Sequence, residues 1–151
     1  MSFGFSVGDF ITVGQLAWNV YKSCQDAPES FSNISIEVLS LHAVLKSAEE
    51  SLADQVLSES RQASLETIST GCRKTLQDLQ ALVGKYESLG TKTKRTFDRM
   101  GWVTNDIAEL RARLTSNVVM LNTFLRQVID WSVLSTCARI PDWHIVPPNR
   151  L

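Results

Sequence analysis

Proline is nearly missing from the body of this 151-residue chain. Of four, Pro141, Pro147 and Pro148 fall in the last stretch and Pro28 stands alone before them. Between Pro28 and Pro141 nothing strictly forbids helix, which points to an α-rich fold. An excess of either charge is missing too: 15 Lys+Arg against 16 Asp+Glu leave a net charge of -1. No overall field draws such a chain to DNA or RNA, so nucleic acid is not an expected partner. Histidine occurs only as His42 and His144, with no HExxH and no Cys pair, so neither a metal nor another cofactor is expected. A nucleophile–base pair would have to be built from those same two histidines. There is no GxxxxGK[ST] loop and no strand–GxGxxG–helix, which disfavours nucleotide hydrolysis and leaves no small-molecule substrate in view. The three cysteines, Cys24, Cys72 and Cys137, are far apart and odd in number. They read as reduced thiols at core-like helical positions rather than a disulfide framework. The N-terminus has no basic region ahead of its apolar stretch, so a secretory signal is not expected and a cytoplasmic location is. Asn33-Ile34-Ser35 then reads as a chance glycosylation match inside a helix. The acid pairs Glu49-Glu50 and Asp106/Glu109 read as solvated helix faces.

The composition is that of a globular protein, with 44% hydrophobic and 21% charged residues. The length suits one domain with a real core, here residues 1–139, followed by a linker or strap over 140–151. From about Phe3 to Cys24, Phe10, Val13, Ala17, Val20 and Tyr21 form one stripe at helical spacing, and Val7, Ile11 and Trp18 form a second. Together they predict a helix that is apolar over most of its surface and surrounded by partners. Asp26 or Ser30 is the expected cap of the next helix, with Pro28 in its first turn. There Ile34, Val38, Leu41, Leu45, Ala48 and Leu52 recur at alternating steps of four and three, a heptad-like seam about three heptads long on a helix on the order of 40 Å. After the polar Ser58-Glu59-Ser60-Arg61-Gln62 comes a third seam: Leu65, Ile68, Cys72, Leu76, Leu79, Val83 and Tyr86, stopped by Gly90. A basic connector with a short helix follows. Thr104, Asn105 or Asp106 is expected to cap a last helix built on Ile107, Leu110, Leu114, Val118, Leu121, Leu125 and Val128, extended by Trp131. The sum is an all-α bundle of four long helices plus a short connecting one, with the first helix against or inside the other three.

Two features carry functional interest. The first segment has Asp9 as its only charge before Lys22. It reads either as a core helix or as a stretch near the length that crosses a bilayer. Phe3, Phe5, Val7, Phe10, Ile11, Val13, Leu16 and Trp18 are therefore the candidate membrane or assembly residues. The second is the basic-aromatic stretch Lys92, Lys94, Arg95, Arg99 and Trp102, with Phe97 among them. It reads as a patch for anionic lipid headgroups or an acidic partner, or as an exposed loop whose Phe97 and Trp102 tuck back into the bundle.

Three blocks in order carry a likeness. They are Met1-Ser2-Phe3-Gly4-Phe5-Ser6-Val7-Gly8-Asp9-Phe10; Ala27-Pro28-Glu29-Ser30-Phe31 with Ile34-Ser35-Ile36-Glu37-Val38-Leu39-Ser40-Leu41; and Phe97-Asp98-Arg99-Met100-Gly101-Trp102 with Asp106 to Asn117. Over roughly residues 1 to 135 the chain resembles the fungal N-terminal domain of STAND (NOD-like receptor) proteins. That domain is also catalogued under an azaphilone-pigment cluster protein and is related to HeLo and HeLo-like domains. The resemblance implies a HeLo-like bundle placed ahead of a NACHT module or repeats. Oligomerisation would drive regulated cell death through membrane engagement of the first helix, with the protein moving to the plasma membrane on activation. Homo-oligomers or other helical signalling domains are the implied partners. The alternative is a helical protein–protein interaction adaptor without a membrane step. An enzyme is not expected; a polar pocket holding His42 or Cys72 beside carboxylates would revive one.

Overall fold

The computed structural model describes residues 7–27, 31–88 and 101–137, apart from the side chains of Val7, residues 101–104 and Cys137. Four helices make up the described chain: α1 (Val7–Asp26), α2 (Ser32–Leu52), α3 (Glu59–Ser88) and α4 (Gly101–Cys137). No strand occurs among the described residues. The protein is an all-α helical bundle.

The seams read from the sequence build the core. On α2, Ile34, Val38, Leu41, Leu45, Ala48 and Leu52 are all buried, and Ser35 joins them. On α3, Leu65, Cys72, Leu76, Leu79 and Val83 are buried, and Ile68 and Tyr86 pack against them. On α4, Leu110, Leu114, Leu121, Leu125 and Val128 are buried, with Ile107 and Val118 packed alongside. The apolar stripe that recurs every three and four residues is what removes these side chains from water.

The helices stand at the corners of a square, in the order α1, α2, α4, α3. Helix α1 packs on α2 and α3, and α4 packs on the same two, so α1 and α4 face each other across a diagonal. Directions follow from cross-helix pairs. The Trp18 and His42 rings meet, and only residues 27–31 lie between the end of α1 and the start of the α2 it packs on, so α1 and α2 run antiparallel. Glu37 pairs with Arg111, while Ser47 and Ser51 share a depression with Leu125 and Ile129, so α2 and α4 run parallel. Asp78 pairs with Arg113 and Arg61 lies over Trp131, so α3 and α4 run antiparallel. It follows that α1 and α3 run parallel.

Several sequence expectations need correction. The first helix is not sheltered on all sides: Phe10, Val13, Ala17, Val20 and Cys24 are buried, but Ile11 and Trp18 of the second stripe are 42% and 39% exposed. Among the described elements α2 and α3 make its main contacts, so one stripe has partners and the other faces outward. Asp26 does not cap α2, because it is the last residue of α1. The N-cap position of α2 is held by Phe31, which makes no side-chain cap hydrogen bond. Phe31 is instead fully buried, its ring 5.6 Å from that of Tyr86 on α3. Burial of an aromatic ring fixes this corner in place of a polar cap. Helix α2 has 21 residues, roughly 30 Å, shorter than the expected helix of about 40 Å. Helix α3 begins inside the polar stretch, where the Arg61 amide donates to Ser58 Oγ at 3.4 Å. Thr104, Asn105 and Asp106 do not cap α4, which is already helical from Gly101. Trp131 does not extend the α4 core and is 60% exposed. The expected short helix and the strap over 140–151 lie outside the described residues.

Candidate functional site

Between the outward faces of α1 and α2 runs an open groove of about 740 Å³. Ile11, Gly14 and Trp18 line it from α1, and His42, Lys46 and Glu49 line it from α2. The antiparallel pairing produces this arrangement. The core stripes of the two helices face inward, and the residues about 100° around each helix meet along the outer edge of the pair.

Trp18 organises one end of the groove. Its ring centroid lies 5.4 Å from that of His42 and 5.4 Å from that of Tyr21. Lys22 Nζ sits 5.6 Å from the same ring, a cation–π contact. Gln25 Nε2 donates to the Tyr21 hydroxyl at 2.6 Å, which holds the edge of the cluster. Indole beside ammonium and imidazole makes a surface that is apolar in the middle and polar at its rim. Gly14 leaves open space, since a side chain there would meet nothing within 4 Å. Lys46 and Glu49 put one charge of each sign at the groove's far end.

The candidate residues of the first helix therefore divide between two faces. Phe10 and Val13 are core and Leu16 packs against the core, whereas Ile11 and Trp18 look outward. Phe3 and Phe5 lie outside the described residues, as does the side chain of Val7. Of the basic-aromatic stretch, Lys92, Lys94, Arg95 and Arg99 lie outside the described residues. Trp102 belongs to the first turn of α4, with its side chain outside them.

The two described thiols, Cys24 and Cys72, lie in the core. Burial pushes Cys24 from its ordinary 9.0 to about 11. It pushes Cys72 from 9.0 to about 12, against the smaller opposing effect of a backbone hydrogen bond. A thiol held in its neutral form is a poor nucleophile and a poor ligand. His42 lies in the outer groove against Trp18, while both described thiols are in the core. Among the described residues no three His, Cys, Asp or Glu side chains gather as a metal site. No described helix is long and apolar enough to cross a membrane.

Two structural features escaped the sequence reading. One is the buried polar pair Thr75 and Asn117 within the α3/α4 seam. The other is the outward apolar set on the last turns of α4, Ile129, Trp131, Val133 and Leu134. A usable signal for the second was present: Val128 to Leu134 carries one charge, Asp130, in seven residues. No family model, curated protein or solved structure matches the chain.

Proposed function

We propose that this chain is a non-enzymatic helical signalling module that works by assembling with other helical domains, its outer α1/α2 groove receiving a partner helix. The observation that carries the reading is the groove itself. Half-exposed Ile11 and Trp18 lie about two turns apart on one edge of a channel framed by His42, Lys46 and Glu49. An amphipathic helix laid in such a channel buries anchors at the same spacing and meets charges of both signs at the rim. A cytoplasmic setting agrees with neutral, buried thiols. The likeness to fungal STAND N-terminal domains supports a place ahead of a receptor module whose clustering supplies the trigger.

The test is forced proximity. An inducible dimeriser fused after Leu151 and expressed in yeast cytosol is expected to start assembly and growth arrest. Ile11→Glu with Trp18→Glu should abolish both while leaving the helical circular dichroism intact. Clustering without effect, or an effect indifferent to the two substitutions, sinks the reading.

Membrane engagement by α1 is a second reading, supported by the helix's low charge and by its packing on two described neighbours rather than three. Its buried face is apolar and would lie in the headgroup boundary once turned outward, as an interfacial helix does rather than a spanning one. Leakage of anionic vesicles by the clustered full chain is the expected sign. Assembly without leakage removes the membrane step and keeps the adaptor.

A further inference from the structure

The α1/α2 groove matches, along its length, the helix that forms one of its walls. Trp18 stands opposite His42, and the two helices are antiparallel. Four residues back along α1 and four on along α2, Gly14 therefore stands opposite Lys46; at seven, Ile11 stands opposite Glu49. Charge changes sign from one end to the other. Lys22 Nζ lies over the Trp18 ring at one end, and Glu49 lies level with Ile11 at the other. Neither charge makes an ion pair among the described residues. At 100° per residue, 11, 15, 18 and 22 fall within about 60° on one edge of α1. Gly14 and Gln15 mark the midpoint between the two anchors. A side chain at Gly14 would meet nothing within 4 Å, so the helix can be approached closely there.

We infer that the helix received by the groove is α1 of a second copy, each α1 lying in the other's groove about a two-fold axis at Gly14 and Gln15. This rests on the groove receiving a helix, as proposed above. A two-fold axis across α1 sets the two copies of the helix antiparallel. Residue 11 of one copy then faces 18 of the other, and 14 faces 15. Ile11 meets the Trp18 ring in both halves of the contact. The Lys22 ammonium over that ring comes to Glu49 of the other copy, because Glu49 stands level with Ile11. Lys46, opposite Gly14, comes level with Gln15 of the other copy, an uncharged acceptor. One operation thus supplies two aliphatic–aromatic contacts and two pairs of opposite charge, with no like pair set face to face. A parallel second helix would instead put Trp18 on Trp18 and Lys22 on Lys22, and leave each Glu49 without a base. Ile11 and Trp18 are 42% and 39% exposed, so each has less than half its surface left to bury. The contact is therefore weak between free copies and tightens when copies are tethered, as a module triggered by clustering requires.

Sedimentation equilibrium of the 151-residue chain from about 5 to about 500 µM should show a monomer–dimer equilibrium. Lys22→Glu alone sets acid against acid in both halves of the contact, and Glu49→Lys alone sets base against base. Each should lower the association constant at least tenfold, with helical circular dichroism and melting temperature unchanged. Mixing the two variants in equal amounts should restore association, because both pairs across the mixed dimer are again of opposite sign. A mixture no tighter than its components, or a wild-type chain that sediments as a monomer throughout, overturns the inference. In either case, growth arrest on forced clustering that still needs Ile11 and Trp18 keeps the groove and gives it to a helix of another protein. Loss of that effect as well removes the groove reading itself. Vesicle binding by a chain that stays monomeric, abolished by Ile11→Glu with Trp18→Glu, would give the groove to lipid and overturns the inference equally.

Discussion

Asn117 Nδ2 on α4 donates to Thr75 Oγ1 on α3 at 3.0 Å, and that hydroxyl donates to the Gly71 carbonyl at 3.0 Å. Both residues are buried in a seam that is mostly apolar, and a longer 3.5 Å contact links Asn117 Nδ2 to the Gly71 carbonyl. Apolar side chains tolerate sliding by a turn, but this chain of donors and acceptors closes in one register only. Buried polar groups used in this way specify alignment more than they add stability. Thr75→Val strips the amide of its best acceptor and should cost about 1–3 kcal/mol. Combining Thr75→Val with Asn117→Leu is expected to recover most of that loss while broadening the α3/α4 amide resonances. Urea unfolding of the two single variants and the double variant, with NMR line widths, checks both halves.

Gly14 and Gly84 sit in helices with nothing within 4 Å of the place a side chain would occupy. Alanine there fills no occupied space and removes the entropy that glycine loses on folding, about 0.5–1 kcal/mol at each position. Gly14→Ala with Gly84→Ala should therefore raise unfolding stability by about 1–2 kcal/mol, read as a shift in the urea midpoint at unchanged m-value. At Gly71 the nearest neighbour is Asn117 Oδ1 at 3.4 Å, ordinary contact. Alanine at that site should also be tolerated.

The two faces of α1 should respond oppositely to charge. Val13 and Ala17 are completely buried. A carboxylate at either position has neither water nor a basic partner, and the penalty of several kcal/mol is a large share of a total near 5–15 kcal/mol. Val13→Asp should leave the chain largely unfolded by circular dichroism at neutral pH. Ile11→Asp, in the open groove, should keep the fold with a loss of about 1 kcal/mol. Equal loss of fold in both would mean that the outer stripe is as deeply packed as the inner one.

The architecture is readable where a helix has one apolar stripe. Every residue of the α2 seam, and the core of the α3 and α4 seams, follows from steps of three and four, because that spacing decides which side chains share a face. What periodicity does not record is how many neighbours a face has. Helix α1 carries two apolar stripes, a pattern that predicts a surrounded helix, yet its second stripe, with Ile11 and Trp18, borders a groove. Trp131 continues the α4 spacing but lies beyond the last residue of α2, so no part of α2 covers it on that side. Helix starts depart from the local signals for a related reason. Asp26, Ser30 and Thr104 to Asp106 are good caps in isolation, but a packed aromatic at Phe31 and continued helix through Gly101 prevail over local polar preference. The groove has no signature along the chain, because it arises from the antiparallel pairing of two helices whose individual patterns say nothing about the edge between them.

The buried thiols give the fold a dependence on alkaline pH. Cys24 and Cys72 are raised by burial from 9.0 to about 11 and about 12. In the unfolded chain they ionise near their ordinary value, so between that value and the folded one the unfolded state binds fewer protons than the native state. Unfolding free energy then falls as pH rises. Their contribution is complete below about pH 9, declines from there, and is gone once pH passes about 12. Replacing Cys72 by alanine removes the larger of the two shifts at the cost of a small cavity. The stability gap between wild type and Cys72→Ala should be constant from about pH 6 to about pH 8 and narrow steadily above about pH 9, as followed by urea unfolding across that range. Thiol-reactive probes at about pH 7.5 should label neither Cys24 nor Cys72 in the native protein, and both after unfolding. A gap that stays flat to about pH 10.5, or rapid native labelling of Cys72, would show that the α3 thiol is not held neutral in the core.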